Sequence, residues 1–76
     1  MRPTIATLLA HRRRTLRLNQ TRAGDQIGIV QPLYSMYERG QRVPSVANFR
    51  RIATWLGLSM DELYEQTKGQ FTERWR

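Results

Sequence analysis

The chain has 76 residues, a formal net charge of +7 and a sequence pI near 11.3, a balance that favours a polyanionic partner: nucleic acid or an acidic membrane surface. At this length it forms one domain with a small core, burying about 60% of the surface that the unfolded chain exposes. Without cysteine it has neither disulfides nor thiolate metal sites, no apolar run approaches the roughly 20 residues of a membrane helix, and Arg2 and Pro3 with the polar mixture after them exclude a signal-peptide core.

In chain order, the first helix is expected from about Thr4 to Arg17, with Ile5, Leu8, Leu9 and Leu16 at helical spacing and His11 to Arg14 on the wetter side. Asn19 is a good N-cap, because its side chain can accept a bond from an amide of the first turn. A short second helix follows, with Ala23, Gly24 and Ile27 on one face, and Gly28 supplies the left-handed residue that ends it. The third helix begins near Gln31 and Pro32, turns Tyr34 and Tyr37 inward at a three-residue spacing, and stops at Gly40. Pro32 fits the first turn, where its missing amide hydrogen costs nothing.

Ser45 caps a fourth helix that buries Phe49, Ile52, Ala53 and Leu56 before Gly57 ends it. Ser59 with Glu62 three residues later forms a capping box for a fifth helix, expected to bury Met60, Leu63 and Tyr64. Beyond Tyr64 the pattern fades into EQTKGQFTERWR. There is no strand signal, internal repeat or Pro/Gly-rich linker. The expected fold class is all-α, with a domain over residues 1–66 and a C-terminal tail over residues 67–76.

The stretch from Asn19 to Ser45, NQTRAGDQIGIVQPLYSMYERGQRVPS, carries Gln20, Gly24, Gly28, Ser35, Glu38, Gly40 and Pro44 at spacings that resemble the lambda-repressor-like, XRE-type (Cro-like) family of helix-turn-helix DNA-binding domains. The resemblance continues through Phe49, Ile52, Ala53, Leu56, Gly57, Leu58, Asp61, Glu62 and Leu63, and covers the chain from about Ile5 to Tyr64. Two positions depart from the family pattern: Ala23 stands where a larger Leu is usual, and Gly24 where Ala is usual. Both are expected to weaken the second helix. The resemblance implies a compact five-helix domain with the helix-turn-helix at the second and third helices, and double-stranded DNA as the partner.

On that resemblance, the exposed side of the third helix looks into the major groove, with Gln31, Pro32, Leu33, Ser35, Met36 and Arg39 as base contacts. Gln31 stands where the family often carries a base-reading Gln, and its amide can pair with adenine N6 and N7 in a two-pronged contact. Pro32, Leu33 and Met36 offer apolar contact to thymine methyl groups. Phosphate contacts are expected from Asn19, Gln20, Arg22, Gln41, Arg42 and Ser45, with Arg2 a further basic residue; Gln20 lies where free amides and the helix dipole favour an anion. The family often pairs an arginine of the first helix with the glutamate near the end of the third, here Arg13 and Glu38.

Helix-turn-helix readers usually bind as dimers on half-sites about 34 to 36 Å apart. A homodimer on an inverted repeat is therefore expected, with Trp55, Tyr64, Phe71 and Trp75 as residues for the dimer or another protein partner; Phe71 and Trp75 are four apart and form an apolar stripe if the tail is helical. An ordinary unstructured tail is the alternative, and Trp55 can equally cap the core.

Enzyme chemistry is not expected. His11, the lone histidine, lies in a basic run without an evident carboxylate partner, and Asp61 and Glu62 are explained by helix-start electrostatics. No phosphate-binding loop, nucleophile motif or metal-ligand spacing occurs, so no cofactor or metal is expected. The reading is a cytoplasmic, bacterial or phage-encoded transcription regulator, a repressor by occupancy. Two alternatives stay open: an antitoxin-like or partner-docking module whose DNA binding is coupled to another protein, and a charge-driven, non-specific nucleoid binder.

Overall fold

A computed structural model of the chain describes residues 3–69. It contains α1 (Ile5–Thr15), α2 (Gln20–Ile27), α3 (Gln31–Glu38), α4 (Val46–Leu56) and α5 (Met60–Thr67), with no β-strand among the described residues.

Side-chain caps start four of the five helices, α3 being the exception. The Thr4 hydroxyl accepts the Thr7 amide at 3.1 Å while the Thr4 amide donates to the Thr7 hydroxyl at 3.0 Å, so α1 opens on a reciprocal box. Asn19, Ser45 and Ser59 accept the amides of Arg22, Asn48 and Glu62. Left-handed residues then end the helices: Gly28 after α2 and Gly57 after α4. The first helix ends two residues earlier than its apolar spacing predicts, because Arg17 turns left-handed at φ 57°. Leu16 is thereby carried past the helix end and is 40% exposed instead of joining the buried stripe.

The core is a single cluster built from Ile5 and Leu9 of α1, Ala23 and Ile27 of α2, Tyr34 and Tyr37 of α3, Phe49, Ile52 and Ala53 of α4, and Leu63 of α5, with Ile29 from the α2–α3 turn. α3 packs on both α1 and α2, α4 packs on the same two helices, and α5 lies against α4. Leu56 and Met60 are half-buried at the edge of this cluster. Tyr64, expected inside, is 46% exposed; Thr67, one turn later on the covered side, is buried and donates its hydroxyl to the Leu63 carbonyl at 2.8 Å.

Candidate nucleic-acid interface

The α2–α3 corner is built by two glycines with different tasks. Gly28 takes the left-handed conformation at φ 96°. Gly24 is helical, but its carbonyl accepts both the Gly28 amide at 2.7 Å and the Ile29 amide at 2.9 Å. A β-carbon at position 24 would stand 2.8 Å from the Ile29 carbonyl oxygen. The glycine that departs from the family pattern thus lets the turn fold tightly back onto α2, which sets where α3 begins.

α3 places Tyr34 and Tyr37 inward, at 0% and 3% exposure. Pro32 and Arg39 are exposed, and Gln31, Leu33 and Met36 are half-buried, with Leu33 packed against the core. Ser35 requires a correction: it is 8% exposed and does not face outward. It lies one turn along the same side of the helix as Gln31. Gln31 emerges from the first turn, whereas Ser35 is covered further along a helix that both α1 and α2 pack against.

A polar chain crosses the same corner. Arg13 grips Glu38 with two parallel bonds, Nε to Oε2 at 2.9 Å and Nη2 to Oε1 at 2.8 Å, and its Nη1 donates to the Leu18 carbonyl at 3.0 Å. The pair is largely covered, with side-chain exposures of 19% for Arg13 and 8% for Glu38. The bond from Arg13 holds the Glu38 carboxyl below its ordinary range against the opposing effect of burial, and the bond to Glu38 raises Arg13. Gln20 Nε2 reaches Glu38 Oε1 at 3.4 Å, and Gln31 Nε2 donates to Gln20 Oε1 at 3.0 Å. Beneath this chain the Tyr34 hydroxyl donates to the Leu9 carbonyl at 3.4 Å, and burial pushes it well above the usual phenol range. Three helices are locked together behind the first turn of α3.

The loop after α3 is exposed at Gln41, Arg42 and Val43 and anchored by buried Pro44. Gly40 turns left-handed, and the Gln41 amide returns to the Met36 carbonyl at 2.9 Å. Ser45 is half-buried and accepts the Asn48 amide at 3.2 Å, so its hydroxyl serves α4; Asn48 in turn donates to the Tyr37 hydroxyl at 3.0 Å. Asn19 likewise serves α2 as its cap, accepting the Arg22 amide at 2.8 Å. Arg22, Arg39 and Arg42 are exposed.

A family model described as a helix-turn-helix domain matches residues 4–66. The chain belongs to the helix-turn-helix DNA-binding family, of the XRE-like type. Among curated proteins it is similar to the cryptic phage CTXphi transcriptional repressor RstR of Vibrio cholerae, 38% identical over 55 residues, which are 72% of this chain and 49% of that protein. The chain therefore spans about half the length of that relative.

Within this helix-turn-helix protein, α2 and α3 occupy the positions of the motif, and the residues expected to touch DNA divide into two groups. Pro32, Arg39, Arg22, Gln41 and Arg42 are exposed and Gln31 and Met36 are half-buried. Asn19, Gln20 and Ser45 spend their side chains within the protein. The role of Gln20 in holding Gln31 is absent from the sequence reading; the only signal for it is that each residue opens a helix, 11 positions apart.

Of the residues expected at a protein interface, Trp55 packs edge-on against Tyr34, with centroids 6.5 Å apart and planes at 85°, and its indole N–H donates to Gln26 at 2.9 Å. It closes the outer edge of the core. Tyr64 is on the surface of α5, while Phe71 and Trp75, like Arg2, lie outside the described residues. No cluster of metal-binding side chains and no helix long and apolar enough to cross a membrane occurs among the described residues.

Proposed function

We propose that this protein is a sequence-specific transcription regulator that binds double-stranded DNA, acting as a repressor by occupying an inverted-repeat operator as a homodimer. The observation that carries the reading is the bond from Gln31 to Gln20 at the start of α3. It uses one hydrogen of the Gln31 amide nitrogen and leaves the second hydrogen and the carbonyl oxygen free, the donor and acceptor that adenine N7 and N6 require. A glutamine held this way loses less rotamer freedom on meeting its base than a freely rotating one.

Around it, Pro32 and Met36 supply apolar contact and Arg39 a charged one. The first amides of α2, with Arg22, Gln41 and Arg42, address the phosphates that set the register. Residues 1–66 form the reader in this scheme, and residues 67–76 with Tyr64 serve the partner contact. The described residues extend 28 × 27 × 20 Å, less than the roughly 34 to 36 Å between half-sites, a size that supports one copy on each half-site. The name of the similar phage protein supports repression.

Selection of bound duplexes from a randomised library, with wild type beside Gln31→Ala, tests this. An inverted repeat that relaxes at one base pair per half-site in the variant supports the reading. No enrichment over the input library would sink it.

A further inference from the structure

The turn joining α1 to α2 places a residue other than glycine in the left-handed region. Arg17 adopts φ 57°, where a β-carbon crowds the neighbouring carbonyl and glycine sits without penalty. The Arg17 amide returns to the Arg14 carbonyl and the Leu18 amide to the Arg13 carbonyl, each at 3.0 Å, a helix ending that is commonly completed with glycine. The other described non-glycine residue in this region, Lys68, has its ammonium joined to Glu65 at 2.8 Å. Arg17 is exposed, and its guanidinium has no hydrogen bond or ion pair among the described residues.

The backbone that presents Arg17 is firmly held. Leu18 is tied to Arg13 twice, through its amide to the Arg13 carbonyl and through its carbonyl to Arg13 Nη1. The same guanidinium forks onto Glu38 at the end of α3. One side chain therefore fixes the Arg17 turn relative to the recognition helix. Asn19, two residues further on, opens α2, and two residues span at most about 7 Å. A long arginine side chain starting there has the reach to meet an anion at the first amides of α2, and its planar fork suits a phosphate.

We propose that Arg17 is an additional phosphate contact, made by the α1–α2 turn to the DNA backbone next to the phosphates at the α2 N-terminus. This rests on the reading of α2 and α3 as a DNA reader and extends its footprint to a third element. A non-glycine residue in the turn then has a use on DNA, because a glycine there would make no contact.

The test measures the affinity of the full chain for a mixed-sequence duplex between about 50 and 200 mM salt, together with thermal midpoints, for wild type, Arg17→Gly, Arg17→Asn and Arg50→Ala. Asparagine also tolerates the left-handed region, so two folded variants lack the charge. Arg50→Ala, on the exposed side of α4, controls for the loss of one positive charge elsewhere. The expected result is a salt slope shallower by about 0.9 in both Arg17 variants, a thermal midpoint not lowered in Arg17→Gly, and a wild-type slope in Arg50→Ala. An unchanged slope in folded Arg17→Gly and Arg17→Asn overturns the inference, as does an equal drop in Arg50→Ala. If wild type still selects a sequence while the Arg17 slopes are unchanged, this inference alone fails; if wild type binds no duplex, the underlying reading fails with it.

Discussion

Gln31 Nε2 lies 3.0 Å from Gln20 Oε1, joining the first residue of α3 to the first residue of α2 across the turn between them. Behind that bond, Gln20 reaches Glu38, and Glu38 is gripped by Arg13, so one polar chain joins α1, α2 and α3. The side chain expected to read a base is thus supported by groups that need never touch DNA.

Gln31→Ala is expected to weaken binding to a preferred duplex by about 1 to 3 kcal/mol and binding to random DNA much less. Gln20→Ala should lower the same discrimination by a smaller amount, because it frees Gln31 without removing it. Competition binding with the selected duplex and a single-mismatch duplex measures both. Equal losses on the two duplexes would show that neither residue contributes to base choice.

The Arg13–Glu38 pair is covered and forked, so removing one partner leaves a poorly solvated charge. We expect Glu38→Ala to cost about 3 kcal/mol, the low end for a buried pair because Arg13 retains 19% side-chain exposure. A double-mutant cycle with Arg13→Ala should return a coupling of about 1 kcal/mol or more. Additive losses in urea unfolding would refute the coupling.

The same pair sets a pH dependence. Glu38 has its folded pKa lowered below the ordinary value of 4.5, chiefly by Arg13. Its contribution is therefore fully present above about pH 5 and is lost as pH falls through the folded pKa. Arg13 is raised and stays protonated throughout, so it adds no slope. Thermal midpoints of wild type and Glu38→Gln should converge as the solution is acidified from pH 6 towards about pH 3. Parallel curves across that range would rule out Glu38 as the titrating group.

Gly24→Ala should destabilise the protein even though alanine is the better helix former by about 1 kcal/mol. The new β-carbon would meet the Ile29 carbonyl at 2.8 Å, and that atom is backbone at the tightest point of the turn. Displacing it costs about 2 kcal/mol as overpacking, for a net loss of about 1 kcal/mol by chemical denaturation. A gain in stability would mean that the turn relaxes without strain.

Much of the fold is legible in sequence because its signals act over three or four residues. Asn19, Ser45 and Ser59 cap their helices through bonds to the third residue onward, and Gly28 and Gly57 supply conformations that other residues enter at a cost. The inward turn of Tyr34 and Tyr37 follows from the same short period. The membership of the helix-turn-helix family rests on the spacing of such residues along one stretch of chain.

The tertiary structure decided what depends on how many neighbours a surface has and on groups distant in sequence. Ser35 is covered on a helix that both α1 and α2 pack against, and Tyr64 is exposed on α5, which packs principally against α4. The Gln31–Gln20 and Arg13–Glu38 bonds join positions 11 and 25 residues apart. Gly24 illustrates the division: read alone it weakens a helix, whereas in the folded chain it leaves room for the Ile29 carbonyl, which would stand 2.8 Å from a β-carbon there. Local chemistry determined which helices form and where they stop; close packing, which acts between atoms regardless of their separation along the chain, decided which side chains remain for DNA.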